Sequence, residues 1–294
     1  MCLDSETQAT VNLGQDKVTA TLQIDNRRIA YTKAGSPSNP PIIFVHGLTS
    51  HRGVWARTIE SLQDRFHCVA LDLLGFGDSD KPADGDYSIR AQAERVLKLA
   101  DHFGFGQFRL AGHSMGGQIS IYLAATLAPQ RVSKLVTVSG VVTGVLTKHV
   151  RAVNMQLIQT GRYVPQVYNI VYSMSKWKWF ANWAFGVWFL HPSAIPFDDW
   201  ALDRKNVLNP SIAVSAFNSY RALRDADLTT SLAEIAAPIL VLHGRQDGTV
   251  PLSDAYLIKQ YAPTSKLVLF DQCGHFPMHE KFDEYIQPLR EFLE

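Results

Sequence analysis

The chain has 294 residues, 46% hydrophobic and 19% charged, the balance of a folded globular protein rather than a disordered one. Its 28 Lys and Arg nearly cancel its 27 Asp and Glu, which leaves no basic footprint for nucleic acid and favours neutral or apolar small-molecule partners. Three scattered cysteines (Cys2, Cys68, Cys273) offer neither a disulfide framework nor metal-ligand spacing, the first twenty residues hold no apolar signal core, and no run reaches bilayer length, so a cytoplasmic location is expected.

Val18–Ile24 and Arg28–Lys33 alternate apolar and polar residues around Asp25-Asn26, the pattern of a β-hairpin. After the Pro- and Ser-rich loop 34–41, Ile42-Ile-Phe-Val45 is a short, wholly apolar strand of the kind buried on both faces of a parallel sheet. It runs into His46-Gly47-Leu48-Thr49. Trp55, Ile59 and Leu62 fall at helical spacing and predict a helix over Val54–Arg65. Cys68–Leu71 is a second buried strand, followed by the glycine-rich loop Asp72–Pro82. Ser88 is positioned to cap a helix whose stripe is Ile89, Ala93, Val96, Leu97, Ala100 and Phe103, with Gly104 as its stop.

Next comes Phe108–Gly112, then Gly112-His113-Ser114-Met115-Gly116, then a small-residue helix from Ile119 to Ala128. Strand, sharp turn with a serine at its tip, helix is the setting in which Gly-x-Ser-x-Gly carries meaning. A turn tight enough to expose the hydroxyl forces Ser114 into unusual backbone torsions, and glycine at 112 and 116 removes the collisions that follow. Leu135–Val138 is another buried strand, ending at Ser139-Gly140. The strand–helix rhythm then stops. From about Val141 to Thr230 the sequence predicts helices only, and five of the six tryptophans lie between Trp177 and Trp200. The rhythm resumes with strand Pro238–Leu242, the loop carrying Asp247, a helix Ser253–Tyr261, strand Lys266–Phe270, the Gly274-His275 loop and a last helix Asp283–Leu293.

Ser114, Asp247 and His275 therefore each follow a predicted parallel strand at its C-terminal end, where open α/β sheets bind ligands. A serine hydroxyl needs a base to take its proton, histidine titrates near working pH, and a carboxylate can fix the histidine tautomer. His113, His243 and His279 compete for the role of His275; Asp225, Asp227 and Asp271 compete for that of Asp247.

The order serine, acid, histidine, together with His46-Gly47, Gly75–Pro82 and Gly-His-Ser-Met-Gly-Gly, resembles the α/β-hydrolase family over nearly the whole chain. The resemblance implies a mostly parallel eight-stranded sheet flanked by helices, formed by residues 1–140 and 231–294. It also implies a helical cap, residues 141–230, inserted after the sixth strand. Ser114 would be the nucleophile, His275 the base and Asp247 the orienting acid, with the backbone N–H groups of Leu48 and Met115 forming the oxyanion hole. Family members that take the acid after the sixth strand differ from this chain, which has Ser139-Gly140-Val141 there. Haloalkane dehalogenases and epoxide hydrolases, similar in the Asp-Lys-Pro of residues 80–82, use an aspartate nucleophile where this chain has Ser114.

The expected reaction is hydrolysis of a carboxylic ester or related acyl bond of a small, rather apolar substrate, with no metal and no organic cofactor. Carbon–carbon bond hydrolysis and cofactor-free perhydrolysis on the same triad, or a ligand-binding receptor of the same fold, are the alternatives. Carbon–carbon hydrolases need charged groups for a carboxylate-bearing substrate, for which Arg52 stands near the oxyanion loop. His46, Asp72 and Asp78 are expected to brace loops. The aromatics of the insertion either form its own core, line an acyl pocket, or reach a membrane surface with Lys176 and Lys178 at the rim.

Overall fold

A computed structural model of the protein describes residues 10–11, 17–152, 154–184, 186–192, 195 and 200–294. Cys2 and Phe185 lie outside them. The strands are β1 (Thr10–Val11), β2 (Val18–Ile24), β3 (Arg27–Ala34), β4 (Pro41–Val45), β5 (His67–Leu71), β6 (Phe108–His113), β7 (Val132–Val138), β8 (Ile239–Gly244) and β9 (Lys266–Phe270). They form one sheet in the order β1-β2-β3-β5-β4-β6-β7-β8-β9. The first four neighbours pair antiparallel and β5 through β9 pair parallel. The expected eight strands are β2–β9, and β1 adds a two-residue edge pair.

The local chemistry explains the elements. Asp25 and Asn26 both adopt left-handed torsions (φ 53° and 59°), which suits the right-handed twist of the β2–β3 hairpin. β4, β5 and β8 have almost no exposed side chain because apolar clusters cover both faces of the sheet. The Ser88 hydroxyl accepts the Ala91 N–H at 3.1 Å and caps α2 (Ile89–His102), as its sequence position predicts. One expectation changes. Val54–Arg65 is not a single helix: a 3₁₀ turn over Arg52–Trp55 leads into the short α1 (Ala56–Glu60), and turns follow. The buried Asp72 carboxylate takes the Arg52 N–H and the His51 ring takes the Gly53 N–H, so the entry is tied to the sheet before helix geometry can settle.

Between β7 and β8 the described residues form helices and no strand: α4 (Lys148–Ala152), α5 (Asn154–Tyr163), α6 (Gln166–Ser175), α7 (Lys178–Ala184), α8 (Ala201–Val207) and α9 (Ala213–Asp225). α3 (Met115–Tyr122) follows β6 and widens into a π-helical turn over Leu123–Leu127. α10 (Leu252–Tyr261), α11 (Pro277–Glu280) and α12 (Phe282–Leu293) complete the chain. The sheet's order reverses at β4, which has β5 on one side and β6 on the other. The crevice outside the C-terminal ends of β4 and β6 is thus the switch point at which α/β sheets bind ligands. Among the described residues no helix is long and apolar enough to cross a membrane.

Candidate active site

The turn at Ser114 is built by close approach. A Cβ on Gly116 would stand 2.2 Å from the Val45 carbonyl oxygen, and one on Gly112 would stand 2.2 Å from the Gly116 carbonyl oxygen. Only glycine lets α3 start this close to β4 and β6. Ser114 itself sits at φ 54° and ψ −119°, a strained conformation for a residue with a side chain. It is locked there because its N–H donates to Val138 and its carbonyl accepts from Gly117 and Val141. Met115 is the first residue of α3, so its N–H has no acceptor within the helix.

The loop after β4 lies directly against this turn: a Cβ on Gly47 would be 2.9 Å from Ser114 Cβ. Leu48 therefore borders the serine. His46 is wholly buried, and its orientation follows from its two bonds. Nε2 accepts the Leu73 N–H at 3.0 Å, so the ring hydrogen is on Nδ1 and donates to the Gly47 carbonyl at 2.7 Å. Burial lowers its pKa to about 4, and the neutral ring braces the loop as expected.

β8 and β9 deliver the other two groups. His275 Nδ1 and Asp247 Oδ2 are 2.8 Å apart, across a sequence separation of 28 residues. Asp247 Oδ1 accepts the N–H groups of Thr249 and Val250 at 2.7 and 2.9 Å. Burial alone would raise the Asp247 pKa, but the charge and hydrogen bond of His275, the nearby His243 and the Val250 N–H outweigh it and hold it near 2. The carboxylate is therefore ionised throughout the working range and aligned on the imidazole.

The competing carboxylates are placed elsewhere. Asp271 pairs with Arg245, Asp225 with Arg224, and Asp227 with the Thr229 N–H. His243 is buried beside Asp247 at 3.4 Å, and burial lowers its pKa. Arg52 is committed to the buried Asp72 and to Asp78 at 2.8 Å, away from the serine. It does not border the cavity beside Ser114.

Three residues support the site in roles that the sequence does not assign to them, His113 being there only a competitor for the base. The His113 ring lies at the base of the His275 loop. The Trp188 carbonyl accepts the His275 N–H at 2.8 Å, joining that loop to the helical segment. Half-buried Glu280 accepts N–H groups from Gly274, Phe276 and Leu190. Glu280 carries a weak signal in the sequence, a carboxylate in the first turn of a Pro-started helix. Trp188 acts through its backbone and carries none.

Ser114, His275, Leu48 and His113 border one cavity, whose other wall comes from the helical segment: Leu146, Val150, Met155, Leu157, Ile158 and Trp188 among others. No Lys, Arg, Asp or Glu lines it among the described residues. Four polar atoms of its lining residues, Ser50 Oγ, His113 Nδ1, Asn154 Oδ1 and the Tyr168 hydroxyl, make no hydrogen bond among the described residues. Burial pushes the Tyr168 phenol up to about 12, so it stays a donor. Among the described residues no cluster of His, Cys, Asp and Glu could hold a metal ion, and Cys68 and Cys273 are free thiols.

The profile of the alpha/beta hydrolase fold matches residues 40–282. The pimeloyl-[acyl-carrier protein] methyl ester esterase of Nitrosomonas europaea is 28% identical over 257 residues, covering 82% of this chain and 90% of that one. The 2-hydroxymuconate semialdehyde hydrolase of Pseudomonas putida is 28% identical over 263 residues, covering 86% of each chain. Among solved structures, a bacterial membrane phospholipase A superposes with a TM-score of 0.75 at 29% identity, covering 94% of this chain and 86% of its own.

Proposed function

The chain belongs to the α/β-hydrolase family, and from that premise we propose that it is a serine hydrolase of carboxylic esters whose acyl group is uncharged and apolar. Residues 141–230 act as the cap of the core formed by 1–140 and 231–294. Ser114 Oγ attacks the ester carbonyl while His275 Nε2 takes its proton, and Asp247 holds the tautomer and stabilises the imidazolium. The oxyanion is received by the N–H groups of Leu48 and Met115, each donor being worth roughly 3–4 kcal/mol in the transition state. Collapse expels the alcohol, protonated by His275. Water activated by the same imidazole then cleaves the acyl-enzyme, and the acid leaves.

One observation carries the choice of ester over carbon–carbon bond hydrolysis. The cavity wall is mostly apolar and, among the described residues, has no Lys or Arg, and Arg52 is held by two carboxylates. A dianionic or carboxylate-bearing substrate would lose its hydration there with nothing to replace it. An acyl chain loses nothing and gains about 0.8 kcal/mol per buried methylene. Relatives of equal identity are named as an ester esterase and as a 2-hydroxymuconate semialdehyde hydrolase, so the choice rests on the cavity. The test is a series of p-nitrophenyl esters of rising chain length, with an acyl chain ending in a carboxylate as control. Butyrate to octanoate should surpass acetate in kcat/KM, and the carboxylate-ended ester should be poor. Fastest turnover of the carboxylate-ended ester overturns the proposal.

A further inference from the structure

Charge and aromatic exposure coincide in one part of the helical segment. The sequence has no acidic residue between Asp101 and Asp198. Residues 141–197 contain five basic residues (Lys148, Arg151, Arg162, Lys176 and Lys178) of the chain's 28 and none of its 27 acidic ones. The remainder therefore has 23 basic against 27 acidic residues, so a nearly neutral chain is in fact polarised. Lys148, Arg151, Lys176 and Lys178 are all exposed.

The largest apolar side chains stand out on the same segment. α7 packs inward through Phe180 and Ala181, which turns Trp179 and Trp183, one helical turn apart, away from the core. Trp177, Trp179 and Trp183 are 58%, 67% and 70% exposed. They are contiguous: the rings of Trp177 and Trp179 stack at 6.4 Å, and Phe180 touches Trp179 at 5.8 Å and Trp183 at 5.7 Å. Val164 and Ile170 are exposed nearby in sequence. Clustered exposed indoles are unusual on a protein surface that meets only water. Indoles flanked by lysines are the composition of a surface seated at the headgroup level of a bilayer, where the ring spans the apolar boundary and the ammonium meets phosphate. The absence of acidic residues from the stretch 141–197 adds attraction to anionic lipid.

We propose that this face, centred on Trp177, Trp179 and Trp183 with Lys176 and Lys178, docks on the surface of an anionic phospholipid bilayer. The protein then lies on the membrane without spanning it. α6, which packs against α7, and α5, which packs against α6, present Tyr168 and Met155, Leu157 and Ile158 to the cavity beside Ser114. The apolar wall of the cavity and the docking face thus belong to one helical layer. Docking does not depend on the ester-hydrolase proposal, because binding is read without turnover.

Flotation of the full-length protein with vesicles tests it, using phosphatidylcholine alone and phosphatidylcholine mixed with phosphatidylglycerol. The wild type should float with the anionic vesicles, with a blue shift of tryptophan emission, and should be released by high salt. Trp177→Ser/Trp179→Ser/Trp183→Ser should reduce partitioning at least tenfold and abolish the shift. Lys176→Glu/Lys178→Glu should remove the preference for anionic vesicles. All five positions are exposed, so both variants should keep the wild-type melting temperature; if the triple variant does not, the lysine variant and the salt dependence decide. Wild-type protein that stays in the bottom fraction with anionic vesicles overturns the proposal, as does a folded triple variant that floats normally. A concentration-dependent dimer that the triple variant abolishes, without vesicle binding, would assign the face to a second copy of the chain instead.

Discussion

The imidazole of His113 lies 4.7 Å, centroid to centroid, from that of His275, and its Nε2 is 3.0 Å from the His275 carbonyl oxygen. A carbonyl only accepts, so Nε2 carries the hydrogen. Burial drives the His113 pKa well below its usual value, and the ring is neutral. The residue before the nucleophile, at the end of β6, therefore fixes the backbone of the residue proposed as base, 162 positions later.

His113→Ala removes that tie and the ring that His275 and Phe276 pack on. We expect kcat to fall roughly 10–100-fold, in keeping with the cost of misplacing a catalytic group by about an ångström. KM should change little. His113→Asn, which keeps a donor, should recover part of the loss. Steady-state kinetics of the two variants on a butyrate ester check this; equal activity of His113→Ala and wild type would remove His113 from the positioning machinery.

Asp247→Asn tests the orienting acid. The amide offers His275 a neutral partner that can stabilise the wrong tautomer, and a loss of about 10³–10⁴-fold in kcat is expected. His243, 3.4 Å from the same oxygen, is buried and cannot substitute as the acid. Wild-type kcat in the variant would exclude Asp247 from the reaction.

The parts of this arrangement that were legible in the sequence rest on local rules. Gly112 and Gly116 flank Ser114 because contacts near 2 Å to backbone oxygens allow nothing larger, and such spacing is visible without a structure. The buried strands announced themselves as short apolar runs, and Ser88 as a cap. Long-range ties were not legible. The contacts of Glu280 with Leu190, and of Arg52 with Asp72, join segments whose sequences do not mark each other. The same holds for the tryptophans. Trp177, Trp179 and Trp183 face out, whereas Trp200 is buried and Trp188 borders the cavity. The segment is aromatic throughout, so only packing decides which rings are covered.

Gly116→Ala should destabilise the fold by roughly 1–3 kcal/mol, because the new methyl meets a strand carbonyl that cannot step aside. A Cβ there would lie 2.2 Å from Val45 O and 2.6 Å from His46 O. Urea unfolding measures the loss. An unchanged midpoint would mean that α3 and β4 can separate freely, contrary to their packing.

Stability should also depend on pH through His46. Burial lowers its folded pKa to about 4 from an unfolded value near 6.5. Between those values the unfolded chain binds a proton that the folded chain refuses, so stability falls as pH drops through this window and the loss is complete below about 4. The shift corresponds to about 3 kcal/mol. His46→Asn has no such group and keeps a donor at the Nδ1 position. The stability difference between wild type and this variant should therefore narrow by that amount from pH 7 to pH 4, as read by urea unfolding. A gap independent of pH would show that His46 protonates freely in the folded state. Asp247, with its pKa held near 2, acts only at lower pH: its stabilisation is lost as pH falls from about 4 toward 2.

The central claim is that Ser114 becomes acylated by an apolar ester. Rapid quenching after mixing with p-nitrophenyl octanoate, followed by intact and peptide mass spectrometry, measures this directly. One octanoyl group should appear on the peptide containing Ser114, in step with a burst of p-nitrophenol, and Ser114→Ala should show neither. Turnover of the ester by Ser114→Ala at the wild-type rate, or an octanoyl group on another residue that forms at the burst rate, would contradict it.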